Sequence, residues 1–116
     1  MGSDVQHGNR RGLDMFRLDG RSAIVIGGAG LLGAEFCRTL SEAGAAGVVA
    51  DLDLQRAHMV ADEIAKCGPR AIAWRVNVTQ PTSVESLVAK VREAFGRLDI
   101  LVNSAALDPK FDRQHE

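Results

Sequence analysis

The 116-residue chain lacks the features that define several protein classes. No apolar run reaches the roughly 18 residues that a membrane-spanning helix needs, and residues 1–12 contain no hydrophobic segment that could act as an export signal. We therefore expect a cytoplasmic protein with no membrane partner. The net charge of −1 gives no electrostatic reason to expect nucleic acid as a partner. Tyrosine is absent altogether, so no step that requires a tyrosine side chain is available to these residues.

Cysteine is scarce too, with only Cys37 and Cys67 in the sequence. Both fall on or at the end of predicted helices and have no metal-ligand neighbours, so we interpret them as core residues of a reduced protein and predict no metal site. The apolar fraction of 46% and the charged fraction of 25% are typical of an ordinary globular domain. The length favours a single domain.

What the sequence does contain is a regular alternation of apolar runs and amphipathic stretches from Arg21 onward. This alternation predicts the α/β class, with right-handed βαβ units and a parallel sheet. We predict strands over residues 22–26, 47–51, 71–76 and 98–102, with helices between them that end near Gly44, Gly68 and Gly96. The usual order would be 3-2-1-4, a Rossmann-like doubly wound sheet reduced to about four strands. We expect a flexible arm over residues 1–17, the folded unit over 18–107 and a tail over 108–116.

The turn after the first strand is rich in glycine and satisfies two spacings at once, Gly28-x-Gly30-x-x-Gly33 and Gly27-x-x-Gly30-x-x-Gly33. One glycine allows a tight turn, another lets the backbone approach a pyrophosphate, and Gly33 lets the helix pack closely on the strand. The N–H groups and dipole of a helix that begins near Leu31 would face the phosphates. The turn therefore predicts a dinucleotide site.

Asp51 ends the second strand, eighteen residues beyond Gly33. This separation suits the carboxylate that binds the adenosine ribose hydroxyls, and an anion there would repel the 2′-phosphate of NADP. The sequence therefore favours NAD over NADP. The alternative is that Asp51 only caps the next helix, a role for which Asp53 competes.

Asn77 and Val78 follow the third strand, and Asn103 follows the fourth. The carboxyl ends of strands are where open α/β sheets bind ligands, so these residues could reach adenine or ribose. Asparagine also makes turns, and this alternative stays open at both positions.

Together these motifs resemble the short-chain dehydrogenase/reductase family over residues 18 to about 111. The segment from Leu18 to Gly30 is similar to the family's first strand and glycine motif, and residues 48–53 are similar to its NAD-selecting second strand. Asn77-Val78-Thr79 resembles an Asp-Val-Thr motif at the adenine pocket, with an amide in place of a carboxylate. The segment that starts at Asn103 resembles an Asn-Asn-Ala-Gly motif. The cofactor contacts that we expect are Gly27, Gly28, Gly30, Leu31, Leu32, Gly33, Asp51, Leu52, Asn77, Val78, Asn103 and Ala105.

The resemblance implies hydride transfer between an alcohol and a carbonyl, assisted by a Ser, a Tyr and a Lys. Without a tyrosine we expect this chain to be the NAD-binding part of such an oxidoreductase, unable to catalyse alone. The alternatives are a non-catalytic nucleotide-binding module and a nonfunctional fragment. His7, His58 and His115 lie in predicted tails or on an outer helix face, so we assign none of them a catalytic role. The far edge of the fourth strand is apolar and favours self-association.

Overall fold

The computed structural model describes residues 17–66 and 68–104. Within these ranges four strands alternate with three helices. The strands are β1 (Ser22–Ile26), β2 (Ala46–Asp51), β3 (Ala71–Arg75) and β4 (Ile100–Asn103), and the helices are α1 (Leu31–Glu42), α2 (Leu54–Ala65) and α3 (Pro81–Phe95). The strands are parallel and their order is β3-β2-β1-β4, which confirms the predicted sheet.

The apolar side chains of β1 and β2 alternate between the two faces of the sheet, and each face carries a core. On one face Ile24 and Val48 pack with Leu87 and Val91 of α3. On the other face Val25 and Val49 pack with residues of α1 and α2, including Cys37. Because helices cover both faces, β1 is buried along its whole length, as its continuous apolar sequence predicts.

The fourth strand begins later than predicted. Residues 98–102 form an apolar run, yet β4 spans Ile100–Asn103. Leu98 packs against the core from a position outside the strand, and the Asp99 side chain accepts hydrogen bonds from the backbone N–H of Ser22 at 2.9 Å and from Arg97 Nε at 2.8 Å. These contacts fix the entry to the strand, so the regular pairing with β1 starts at Ile100.

The helix ends follow the glycine and proline signals of the sequence. Pro81 is the first residue of α3, and Gly96 ends this helix in the left-handed conformation with φ of 79°. Gly44, with φ of 107°, follows α1. Arg17, which we placed at the end of the arm, forms an ion pair with Asp19 at 2.7 Å.

The rest of the arm, Cys67, and everything from residue 105 on, including Ala105 and the tail, lie outside the described residues. No helix within the described ranges is long and apolar enough to cross a membrane.

The topology places one end of the sheet in a distinctive position. The connections through α1 and α2 step from β1 outward to β2 and β3, whereas α3 carries the chain back to the opposite side of β1. The carboxyl ends of β1 and β4 are therefore where the strand order reverses. Such a switch point leaves a crevice in which open α/β sheets bind ligands.

Candidate functional site

The glycine-rich turn leaves β1 at this switch point and is tied to the neighbouring strand. Gly27 takes the left-handed conformation with φ of 80°, which glycine adopts without steric cost. The N–H groups of Gly27 and Gly28 both donate to the carbonyl oxygen of Ala50, at 2.8 and 3.0 Å. The turn is therefore held against the end of β2 before α1 begins.

Two glycines of the turn are required by packing within the protein. A Cβ atom on Gly33 would lie 2.0 Å from the carbonyl oxygen of Gly27, and one on Gly28 would lie 2.9 Å from Val49 Cγ1 and 3.0 Å from the carbonyl oxygen of Val25. Backbone atoms cannot move away from such contacts without shifting an element. Gly33 therefore sets how closely α1 approaches β1, as its position in the sequence predicts.

Gly30 is different, because nothing in residues 17–66 and 68–104 requires a glycine there. Its φ and ψ of −76° and 171° are ordinary extended values, and a Cβ would meet only the carbonyl oxygen of Gly27, at 3.5 Å. The residue is exposed at the first position before α1. The space in front of Gly30 is thus open to an outside group.

The first turn of α1 presents backbone donors toward the same space. Gly30 supplies no side-chain cap, and the first turn contains no acidic residue. Among the described residues, none accepts a hydrogen bond from the backbone N–H of Leu31, Leu32 or Gly33. The side chains of Leu31 and Leu32 are 92% and 64% exposed. These donors and the helix dipole together suit an anion.

Asp51 stands beside the turn at the end of β2 and organises it. Its Oδ2 accepts from the Ala29 N–H at 3.0 Å, and its Oδ1 accepts from the Asp53 N–H at 3.0 Å. A carboxylate has about four acceptor positions, so two remain for a ligand. Asp53, not Asp51, is the N-cap of α2, since its side chain accepts from the Arg56 N–H. The cap alternative for Asp51 is therefore not what the structure shows.

Asn77 follows β3 and makes a local turn with its side chain. Its Oδ1 accepts from the backbone N–H of Thr79 at 3.0 Å and from Thr79 Oγ1 at 2.6 Å. The backbone N–H of Asn77 itself donates to Ser83 Oγ at 2.9 Å. The turn-making alternative is thus present, and it leaves the side-chain nitrogen as the polar group that Asn77 can still offer.

These elements enclose a cleft of about 570 Å³ at the carboxyl ends of the strands. Its walls include six of the residues that the sequence predicts as cofactor contacts: Gly27, Gly30, Asp51, Leu52, Asn77 and Val78. Leu52 and Val78 expose 57% and 50% of their surface and give the cleft apolar walls. The structure thus brings the turn, the carboxylate and the residues after β3 to one place.

Other predicted residues lie near the cleft without lining it. Gly28 and Gly33 are buried beneath the turn, and Leu31 and Leu32 stand at the start of α1. Asn103 is the last residue of β4, paired in register with Ile26. Sequence reasoning missed four wall residues: Ile26, Val76, Thr79 and Ser104. Ser104 had a signal, because it follows the last strand, and its N–H donates to the carbonyl oxygen of Ile26 at 2.8 Å.

The groups with shifted pKa values have structural rather than ligand-facing positions. A hydrogen bond from Arg97 lowers the pKa of Asp99, which lies at the start of β4, at the opposite end of the sheet from the cleft. Burial raises the pKa of the Cys37 thiol to about 11. His58 is exposed on α2. The described residues contain no cluster of side chains able to hold a metal ion.

The sequence and the fold were compared with those of known proteins. The chain matches the family profile described as short chain dehydrogenase over residues 21–116. It is 38% identical over 92 residues to 7alpha-hydroxysteroid dehydrogenase of Escherichia coli (strain K12), covering 79% of this chain and 36% of that enzyme. It is 40% identical over 91 residues to sorbitol dehydrogenase of Cereibacter sphaeroides, covering 78% of this chain and 34% of that enzyme. The chain therefore spans about a third of the length of these curated relatives.

Solved structures agree with the sequence matches. The crystal structure of the hydroxysteroid dehydrogenase from Escherichia coli superposes with a TM-score of 0.75 at 38% identity, over 78% of this chain and 38% of that one. An oxidoreductase from Haemophilus influenza with bound NAD superposes with a TM-score of 0.77 at 28% identity, over 84% of this chain and 35% of that one. An NADPH-dependent 3-quinuclidinone reductase from Rhodotorula rubra superposes with a TM-score of 0.73 at 27% identity, over 77% of this chain and 34% of that one. On the profile match and the shared fold, the chain belongs to the short-chain dehydrogenase family.

Proposed function

We propose that the cleft binds a nicotinamide dinucleotide, with NAD preferred over NADP, and that residues 18–107 are the cofactor-binding part of a short-chain oxidoreductase. The observation that carries this proposal is Gly30. It is exposed, its backbone conformation is open to any residue, and among the described residues only the Gly27 carbonyl oxygen would meet a Cβ there, at an ordinary 3.5 Å. A glycine at such a position is explained by a ligand that approaches the backbone closely.

The residues present fit such a ligand. The free N–H groups at the start of α1 would bind the pyrophosphate. The two open acceptor positions of Asp51 would bind the hydroxyls of the adenosine ribose. Leu52 and Val78 would cover the faces of the adenine. Asn103 and Ala105, at the end of β4 and beyond it, would serve the other half of the dinucleotide, near the switch point.

The preference for NAD rests on the charge of Asp51. A 2′-phosphate on the ribose would bring a second anion against this carboxylate, and two unit charges about 4 Å apart repel by about 4 kcal/mol at an effective dielectric constant of 20. One basic side chain is close by. Arg75 pairs with Asp51 in the β2–β3 register, and its Nε donates to the carbonyl oxygen of Leu52 at 3.3 Å. The Asp51 carboxylate is held in the cleft wall by the N–H groups of Ala29 and Asp53, so we propose it as the residue that decides between the two cofactors.

A bound nicotinamide would supply the hydride-transfer chemistry of the family. The residues here would bind and orient the dinucleotide but would not move the proton, because the sequence contains no tyrosine to serve as the acid or base. We therefore propose no alcohol oxidation by these residues alone. We also propose a cytoplasmic location, which rests on the sequence.

Calorimetric titration of the folded chain with NADH and NADPH tests this function. We expect binding of NADH and at least tenfold weaker binding of NADPH. Asp51→Asn should weaken the binding of NADH and reduce the difference in affinity between NADH and NADPH, because the repelling charge is gone while Arg75 remains. Asp53→Asn is the matched control: it removes the same charge two residues away, at the cap of α2, and should leave the cofactor preference unchanged. Absence of heat and of thermal stabilisation with NADH would refute the proposal.

A further inference from the structure

The outer edge of β3 carries backbone groups that no described residue pairs. At the two ends of the strand, Arg70 accepts from β2 through its carbonyl oxygen and Val76 donates to β2 through its N–H. Because alternate residues of a parallel strand bond to the same neighbour, the even-numbered positions face β2. Ala71, Ala73 and Arg75 therefore turn their N–H and carbonyl groups outward. Within residues 17–66 and 68–104 no strand lies on that side of β3.

A groove of about 630 Å³ runs along this edge, between α2 on one face of the sheet and α3 on the other. Its lining comes from all three elements, with Ala73 and Arg75 from β3, Leu54 from α2, and Ser83 and Ser86 from α3. A strand edge beside a helix is a geometry in which an extended peptide can add a strand to a sheet. The main chain of such a peptide supplies hydrogen bonds to the edge, and its side chains meet the helix.

The charge around this groove is positive. Arg75 is exposed and forms no ion pair with a described carboxylate. Lys90 of α3 holds its Nζ 5.6 Å from the centre of the Trp74 ring, which also lines the groove. An exposed carboxylate, that of Glu93, lies 3.6 Å from Lys90 and offsets part of its charge, so Arg75 is the main cation. Among the described residues that line the groove none is acidic, which favours an acidic occupant.

The same charges argue against a second copy of the chain as the occupant. If two β3 strands paired antiparallel about Ala73, the Arg75 of each copy would come opposite Ala71 and diagonally beside the Arg70 of the other copy. Arg70 is held near this edge, because its Nη1 donates to the carbonyl oxygen of Ala94 at 3.2 Å. Like charges on neighbouring strands destabilise their pairing. The strand that fits this edge therefore carries the opposite charge.

We propose that the β3 edge binds an extended acidic segment of a partner protein, which adds to the sheet as a further strand. The backbone of this segment would pair with the outward groups of Ala71, Ala73 and Arg75, and one of its carboxylates would meet the Arg75 guanidinium. The inference goes beyond the proposed function. The groove shares only Asn77 with the lining of the cofactor cleft, so a dinucleotide in that cleft would leave the β3 edge open.

Trp74 is the only tryptophan in the sequence, so the fluorescence of the chain reports on the groove. The experiment titrates the 116-residue chain with the capped peptide Glu-Val-Thr-Val-Thr-Glu, whose β-branched residues favour an extended backbone. The comparison peptide has lysine in place of both glutamates. We expect a saturable change of Trp74 emission with the acidic peptide and a Kd lower by about tenfold than that of the lysine peptide, a difference that shrinks in about 0.5 M sodium chloride.

Two further peptides test the backbone pairing. One is N-methylated at both valines and the other at both threonines, so that each lacks the N–H groups along one of its edges. We expect at least one of them to bind about tenfold more weakly than the unmodified acidic peptide, because the β3 carbonyl groups lose their donors.

Arg75→Gln removes the main cation of the groove and should raise the Kd of the acidic peptide about three- to fivefold, the range of an exposed ion pair. Arg92→Gln is the matched control. It removes the same charge from an exposed position of α3 that does not line the groove, and should leave the Kd unchanged.

An acidic peptide that leaves Trp74 emission unchanged up to about 1 mM overturns the inference. Equal Kd values for the acidic and lysine peptides, or for the acidic peptide and both N-methylated forms, overturn it too. A second copy in the groove would appear as emission that changes with the concentration of the chain alone, and this also contradicts the proposal. Self-association through β4 would not imitate that result, because β3 and β4 are opposite edges of the described sheet.

Titration of the same sample with NADH separates this inference from the proposed function. Binding of NADH without binding of the acidic peptide refutes only the inference. Binding of the peptide without binding of NADH refutes only the proposed function.

Discussion

Replacing Gly30 and Gly33 separately by alanine should divide the glycine motif into a ligand-binding part and a folding part. In Gly33→Ala the new Cβ would lie 2.0 Å from the Gly27 carbonyl oxygen and 2.9 Å from Gly28 Cα. Both contacts are with backbone, so α1 must move away from β1. Overpacking of this kind costs about 1–3 kcal/mol, and in a domain of this size we expect the melting temperature to fall by roughly 5–15 °C.

In Gly30→Ala the Cβ meets nothing closer than 3.5 Å, and the backbone already has values that alanine adopts. Alanine is a poorer N-cap than glycine, at a cost of up to about 1 kcal/mol. Alanine also restricts the conformations of the unfolded chain, which stabilises the folded state by about 0.4–1 kcal/mol. The two effects nearly cancel, so we expect stability to change by less than about 0.5 kcal/mol. Binding of NADH should weaken by at least about tenfold, because the methyl group keeps the phosphate from the backbone N–H groups.

The assay pairs unfolding in urea with calorimetric titration of NADH on the natural chain and both variants. The natural chain supplies the reference for each measurement. The expected pattern is opposite in the two variants, with stability lost in Gly33→Ala and affinity lost in Gly30→Ala. A Gly30→Ala variant that keeps its NADH affinity would show that no phosphate approaches this residue. A Gly33→Ala variant with unchanged stability would show that the helix can yield at no cost.

Three further predictions concern stability, reactivity and assembly. Because the hydrogen bond from Arg97 lowers the pKa of Asp99 in the folded chain, the ionised carboxylate stabilises the fold at pH values above its ordinary pKa of 3.8. This stabilisation is lost as the pH falls through the lower folded pKa. Asp99→Asn should therefore destabilise the fold at pH 7 but not in strong acid. Urea unfolding at both pH values checks this. With a pKa near 11 instead of 9.0, the Cys37 thiol should alkylate about 100-fold more slowly at pH 8 in the native than in the unfolded chain, measured by peptide mass spectrometry. Among the described residues β4 pairs only with β1, and Leu101 is 60% exposed. Leu101→Lys should therefore reduce self-association in sedimentation, and a natural chain that stays monomeric would contradict this.

The order of the elements was predictable because several signals agreed. Apolar runs rich in β-branched residues marked the strands, and glycine and proline marked the ends of the helices, as at Pro81 and Gly96. Where only one signal was present, the boundary was wrong. Leu98 extends the apolar run of the fourth strand, yet hydrophobicity alone does not separate a strand residue from a loop residue packed on the core. The hydrogen bond from the Ser22 N–H to Asp99 Oδ2, at 2.9 Å, joins residues 77 positions apart and leaves no periodic pattern in the sequence.

The polar residues of the cleft show the same division. Strand ends gave the positions of Asp51 and Asn77, because parallel strands bring their carboxyl ends to one edge. Their partners did not follow from spacing. The sequence left helix capping and ligand binding open for Asp51, and only the contact of its Oδ2 with the Ala29 N–H assigns it to the glycine turn. For Asn77, the orientation of the amide depends on the Thr79 N–H, which no residue count predicts.

The glycine motif shows which role a sequence pattern assigns within this site and which it leaves open. The spacing gives Gly33 the close packing of the helix on the strand, but two overlapping spacings leave the approach to a pyrophosphate unassigned among the earlier glycines. The backbone supplies that assignment, because Gly33 has no room for a side chain, whereas a Cβ on Gly30 would meet only the Gly27 carbonyl oxygen, at 3.5 Å. A glycine fixed by packing says nothing about a ligand, since its loss would harm the fold in any context. An unforced glycine at the start of a helix is the stronger indication of binding, because no described residue accepts from the first three N–H groups of this helix and none requires the glycine.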